Sequence, residues 1–164
     1  MAGAPKPEFP PLLAHGFHEL RLDALRVLCV DRFPGSLSRA SIMGGLENVI
    51  AQLNACGLRM DVWVNGSFLT QKLNPDDVDF AARIEEANWR GADIRQKSMI
   101  RWINTTDLKP DYRCDAYAFV ERAPGAAPGG NWEWDRAYWL RQFGFSREDK
   151  PKGLAVLKLP FVII

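Results

Sequence analysis

Val64-Asn65-Gly66-Ser67, followed after nine residues by Asp77-Val78-Asp79-Phe80, is the stretch on which the reading of this chain turns. Residues 60–64 form a short apolar run with β-branched and aromatic members, which predicts a buried strand delivering Gly66 and Ser67 to its C-terminal end. Gly66 permits a tight turn there and lets backbone N–H groups approach an anion, and the Ser67 hydroxyl can donate to a phosphate oxygen. Asn74-Pro75-Asp76 has turn chemistry: Pro75 fixes φ and Asn74 can bond its own backbone, so the chain is expected to reverse and enter a second strand near Asp77. Strand side chains alternate. Asp77 and Asp79 therefore share one face, while Val78 and Phe80 point the other way, toward a core. Two carboxylates so close repel each other unless a positive charge sits between them, and a hard, oxygen-ligated ion such as Mg2+ is the expected answer.

Two metal ions clamping the oxygens of an in-line displacement call for a third carboxylate. Residues 112–120 (YRCDAYAFV) read as a strand in which Asp115 is the sole acid, and an unpaired carboxylate there is costly to bury. If these strands are neighbours in one sheet, Asp77, Asp79 and Asp115 converge. Alone, Gly66-Ser67 is an ordinary turn and Asp77 merely closes the Asn74-Pro75 reversal. Asp79 and Asp115 resist that reading because both lie inside apolar strands.

These features together resemble the nucleotidyltransferase superfamily that includes DNA polymerase beta, minimal nucleotidyltransferases and CCA-adding enzymes. More narrowly, WVNGSFLTQKLNPDDVDF (63–80), FPGSLSRASIMGGLENVIAQLNACG (33–57) and FGFSREDKPKGLAVLKL (143–159) look like a family of small stand-alone nucleotidyltransferase-like proteins of bacteria and phages. The likeness runs from about Leu12 to Leu159. It implies that Gly66 and Ser67 hold nucleotide phosphates, that Asp77 and Asp79 bind Mg2+ in a two-ion site, and that Asp115 completes the site and helps deprotonate an acceptor hydroxyl. The implied substrate is a nucleoside triphosphate, ATP foremost, and the acceptor a protein, a tRNA end or a small hydroxyl compound. Toxin-antitoxin and phage-defence roles recur among such proteins. The contrasting expectation is a non-catalytic protein of the same fold that binds a partner through its apolar C-terminus.

Lys72, in the loop between the two motifs, is placed to touch a triphosphate, although loop lysines are more often simply solvated. Lys and Arg number 21 against 20 Asp and Glu, a formal charge of +1, which disfavours a protein that holds long nucleic acid mainly through phosphates. Cys29, Cys56 and Cys114 are widely spaced within apolar segments and suit free buried thiols in a reducing cytoplasm; no zinc pattern exists. His15 and His18 read as surface or capping residues. The first residues lack the pattern of a secretory signal, and no apolar run reaches the ~20 residues that span a bilayer.

Length and a 47% apolar content suit one α/β (α+β) domain over residues 12–164, a mixed sheet with helices mainly on one face, preceded by an extended proline-rich stretch at 1–11. Apolar spacing predicts helices over 20–33 and from Ser36 or Ser38 to a stop at Gly57; Gly44-Gly45 in the latter is a weak point that allows close packing against the sheet or a neighbouring chain. Residues 85–104 read as helical, with Ile94, Met99 or Ile100 and Ile103 buried. Residues 121–131 (ERAPGAAPGGN) read as a mobile loop, a lid or a plain connector, with Trp132 and Trp134 either stacking on a base or covering the core. A short helix from Asp135 to Phe143 and a strand over 154–159 follow. The terminal PFVII (160–164) must pack on its own core or on another chain, such as a second copy or a small partner protein.

Overall fold

The structure, a computed structural model, describes residue 4, residues 6–123 and residues 132–161, the side chains of 132–135 excepted. In chain order its elements are β1 (Gly16–Glu19), α1 (Leu22–Arg26), α2 (Arg39–Cys56), β2 (Met60–Asn65), β3 (Val78–Glu85), α3 (Glu86–Arg90), α4 (Ile94–Thr105), α5 (Lys109–Tyr112), β4 (Cys114–Glu121), α6 (Trp132–Gly144) and β5 (Gly153–Leu159). The strands form one sheet in the order β1-β5-β2-β3-β4. β2 is antiparallel to both β3 and β5, whereas β3–β4 and β1–β5 are parallel, so the expected mixed sheet is present.

Alternation along β3 decides the two faces. Val78, Phe80, Ala82 and Ile84 join the larger core with Ile42, Leu46, Ile50 and Leu53 of α2, Ile100 and Ile103 of α4 and Leu25 of α1. Ala81, with Trp63, Leu154 and Val156, packs instead beneath Phe143, Trp139 and Leu140 of α6. Helices thus lie mainly on one face, and α6 alone among the described helices supplies the core of the other.

α2 begins and ends where its sequence says. Ser36 Oγ accepts from the amides of Ser38 and Arg39, and Gly57, at φ 70°, closes it in the left-handed region. Gly45 packs on α5 rather than on the sheet. A Cβ there would stand 1.9 Å from the Tyr112 carbonyl oxygen, so the glycine lets α5 lie directly on α2. Arg39 is fully buried and, among the described residues, has no carboxylate partner: its guanidinium donates to the carbonyls of Cys29, Phe68, Thr70 and Lys72 and lies 3.7 Å from the Phe33 ring centroid. It thereby ties the segment after Gly66 to α2.

Several local expectations are corrected. The 20–33 helix is shorter, with α1 passing into one π-helical turn over Val27–Asp31, because residues up to Glu19 are taken by β1 and Leu20 donates to the Val156 carbonyl. His18 lies on that strand, 2.7 Å from the Ala14 carbonyl oxygen. Residues 85–104 are split by Gly91 and by Asp93, which caps α4 in a capping box with Gln96. Ile94, first in that helix, is 82% exposed rather than buried. Cys29 and Cys114 are buried and free, their thiols pushed up to about 12 chiefly by burial, while Cys56 is only half-buried. The 124–131 part of the expected loop, the side chains of Trp132 and Trp134, and residues 162–164 of the apolar terminus lie outside the described residues. No described helix is long and apolar enough to cross a membrane.

Candidate functional site

Strand register brings the sequence motifs together. Asn65 pairs across β2–β3 with Asp79, and Asp79 pairs across β3–β4 with Asp115, so the two carboxylates stand side by side on one face. Asp77 precedes the first residue of β3 by one. Gly66, at φ 83°, turns the chain out of β2 beside them; a Cβ there would come within 1.9 Å of Asp79 Oδ2. Only glycine leaves room for that carboxylate and tolerates that backbone.

Charge at the site is unevenly balanced. The Lys109 ammonium, carried by the first residue of α5, lies 2.8 Å from Asp115 Oδ2 and 3.4 Å from Asp77 Oδ2. The hydrogen bond that Lys109 donates to Asp115 is the main cause that raises the lysine above its ordinary range. Among the described residues Asp79 has no such partner. Burial, then the charges of Asp77 and Asp115, push its carboxyl up to about 6, against the weaker pull of Lys109 and Lys152. Tyr117, two residues past Asp115 on β4, is also raised, by burial first and then by the Asp115 charge.

Asp79 opens onto a cavity of about 350 Å³. Asn65 and Gly66 line it from β2 and its turn, and Tyr138, Trp139 and Phe143 line it from α6. Arg147 and Lys152, in the polar turn that leads into β5, complete it. Asp115 faces a second recess of about 260 Å³ with Cys114 and Thr106, and Tyr117 borders both.

The three aspartates named from sequence therefore share one end of the β3–β4 pair. The other two candidates lie differently. Ser67 opens a 3-10 turn in which its carbonyl accepts from the Thr70 hydroxyl, and it is not part of the cavity wall. Lys72 lies 3.5 Å from Asp76 through its ammonium, and its carbonyl accepts from Arg39; it too is absent from the wall. Sequence reasoning passed over Lys109, Arg147 and Lys152, since cations in turns carry no periodic signal. Asn65, a polar residue closing an apolar strand, was the one legible hint.

The donor set, three carboxylates of which one is crowded by its neighbours' charge, fits a hard divalent cation such as Mg2+. Among the described residues no three His, Cys, Asp or Glu groups converge closely enough to hold an ion, and Lys109 pairs with two of the three carboxylates.

A model described as a family of unknown function (DUF6932) matches residues 7–158, and the chain belongs to that family. No curated protein and no solved structure matches the chain.

Proposed function

We propose that this chain is a Mg2+-dependent nucleotidyltransferase of the cytoplasm, moving a nucleoside monophosphate from a triphosphate such as ATP to a hydroxyl of a protein, RNA or small-molecule acceptor. The observation that carries this is the register of Asp79 against Asp115, with Asp77 adjacent: Asp79 opens onto the cavity that begins at Gly66, and Asp115 onto the second recess. Asp77, Asp79 and Asp115 would hold the metal. When bound, magnesium would supply positive charge beside the reacting phosphate.

The chain's own groups account for the rest. Asp115 takes the proton of the acceptor hydroxyl as its oxygen bonds to the α-phosphorus, and the bond from that phosphorus to the bridging oxygen breaks, so that pyrophosphate leaves with the electron pair. Lys109 holds Asp115 in place before the reaction, and the α6 wall limits water at the reacting centre. The likeness to small bacterial and phage nucleotidyltransferases makes a toxin-antitoxin or phage-defence setting the natural one to examine. Pyrophosphate release with each of the four triphosphates, in Mg2+ and in EDTA, tests the reading. Release by the wild type in Mg2+ and none by Asp79→Asn is the expected result.

One observation favours the non-catalytic alternative: Lys109 already pairs with two of the three carboxylates, as it would in a site that has no need of metal. Divalent-cation binding separates the two readings, since a purely structural Lys109–Asp115 pair predicts none.

A further inference from the structure

We propose that Arg147 and Lys152 are the phosphate arm of a nucleoside triphosphate subsite in the cavity beside Asp79, with the base on the Tyr138–Trp139 wall and Asn65 Oδ1 accepting from the nucleoside. The assignment rests on the nucleotidyltransferase reading and puts the phosphate contacts on the turn before β5 rather than on Ser67 and Lys72.

Three independent observations carry it. Among the described residues neither Arg147 nor Lys152 has a carboxylate within ion-pairing distance, although their neighbours Arg141 and Lys150 pair with Asp149 and Glu148. Lys152 is half-buried: burial works most against its charge, the Asp79 and Glu8 carboxylates support it, and the exposed Arg147 opposes it, so a bound anion offsets both the burial of Lys152 and the Arg147 charge.

Asn65 is 2% exposed. Its Nδ2 donates to the Phe143 carbonyl, which fixes the amide's orientation because the flipped form would set two oxygens against each other. Among the described residues Oδ1 is then a buried acceptor with no partner, on a residue that lines the cavity. Such an atom is costly unless a ligand or water donates to it, and a ribose hydroxyl or an exocyclic amine is a donor of the right kind.

The aromatic wall is held ready. The Trp139 ring stacks on Phe119 at 5.2 Å and meets Phe143 at 5.9 Å, while Tyr138, 46% exposed, stands edge-on to it. A planar ring adds to such a surface without rearranging it. The volume of about 350 Å³ lies in the range of small-molecule sites, roughly 300–1,000 Å³. Two unpaired cations, an orphan acceptor and an aromatic face together fit a nucleotide better than a simple anion.

Equilibrium dialysis of the full chain against the four triphosphates as their non-hydrolysable α,β-methylene analogues, and against inorganic tripolyphosphate, tests this without requiring turnover. Lys152→Met and Arg147→Met, with folding checked by melting, should each weaken nucleotide binding at least tenfold, and Lys150→Met should not. Tripolyphosphate should bind more weakly than the nucleotides. Equal nucleotide affinity in wild type, Lys152→Met and Arg147→Met would overturn the subsite while leaving nucleotidyl transfer standing. Loss of binding in both variants without transfer in the wild type would uphold the subsite and count against the reaction. A wild type that binds no analogue would overturn the subsite outright.

Discussion

Asp79 sits where the fold is worst served by its charge. Its carboxyl, raised to about 6 from an ordinary value near 3.8, binds a proton more readily folded than unfolded. Below about pH 4 the group is protonated in both states and the penalty is absent; it grows as pH rises toward 6 and is complete above it. In EDTA, Asp79→Asn should therefore raise stability by on the order of 1–3 kcal/mol at pH 8 and leave it nearly unchanged at pH 4, as read by denaturant melts. Such a cost to the fold is in keeping with the role proposed for Asp79. Lys109 is the counterpart, an ammonium occupying the negative field that a divalent cation would also seek. Removing it as Lys109→Met should tighten Mn2+ binding by about tenfold, roughly 1.4 kcal/mol, in a titration followed by electron paramagnetic resonance. Unchanged or weaker binding would mean that the lysine does not compete with metal.

At the scale of elements, the site depends on α5 being seated on α2, since α5 carries Lys109. Gly44 and Gly45 are adjacent in sequence yet face different surroundings. A methyl at Gly44 meets nothing within 4 Å, so Gly44→Ala should gain roughly 0.5–1 kcal/mol from helix propensity. At Gly45 the same methyl strikes the Tyr112 carbonyl at 1.9 Å, a backbone group that cannot rotate away. Overpacking then outweighs propensity, and Gly45→Ala should cost roughly 1–3 kcal/mol in a denaturant melt. The glycine pair was legible in the sequence as a packing device, but its partner was not, because α5 is only Lys109–Tyr112 and a single turn gives no period to read. The β1 strand was missed for a like reason: Gly16–Glu19 is held by its pairing with β5, a contact distant in sequence. Long elements were easier. The caps and stripe of α2 and the apolar runs of β2 to β5 announce themselves locally, and Arg39 escaped notice because a helix-start arginine looks solvent-facing until its five hydrogen bonds to four carbonyls are seen.

Over the whole molecule, one sheet separates two jobs. The larger core, under α1, α2 and α4, fixes the strands, and the smaller one, under α6, leaves a cavity at the end where β2 turns at Gly66 and β3 begins. Asp79 and Asp115 were legible because carboxylates inside apolar strands violate the hydrophobic pattern, and Asp77 through its spacing of two from Asp79. The cations that face them were not, since Lys109 and Lys152 reach the site from segments far apart in sequence. The central claim is that this end of the sheet transfers nucleotides, and parallel reactions with α-labelled and γ-labelled triphosphate test it most directly, in Mg2+ with lysate protein and RNA as acceptors. Label should enter the acceptor from the α position only, and not with Asp77→Asn or Asp79→Asn. Label retained in free nucleotide for all four bases, or transferred equally by those variants, would contradict the account.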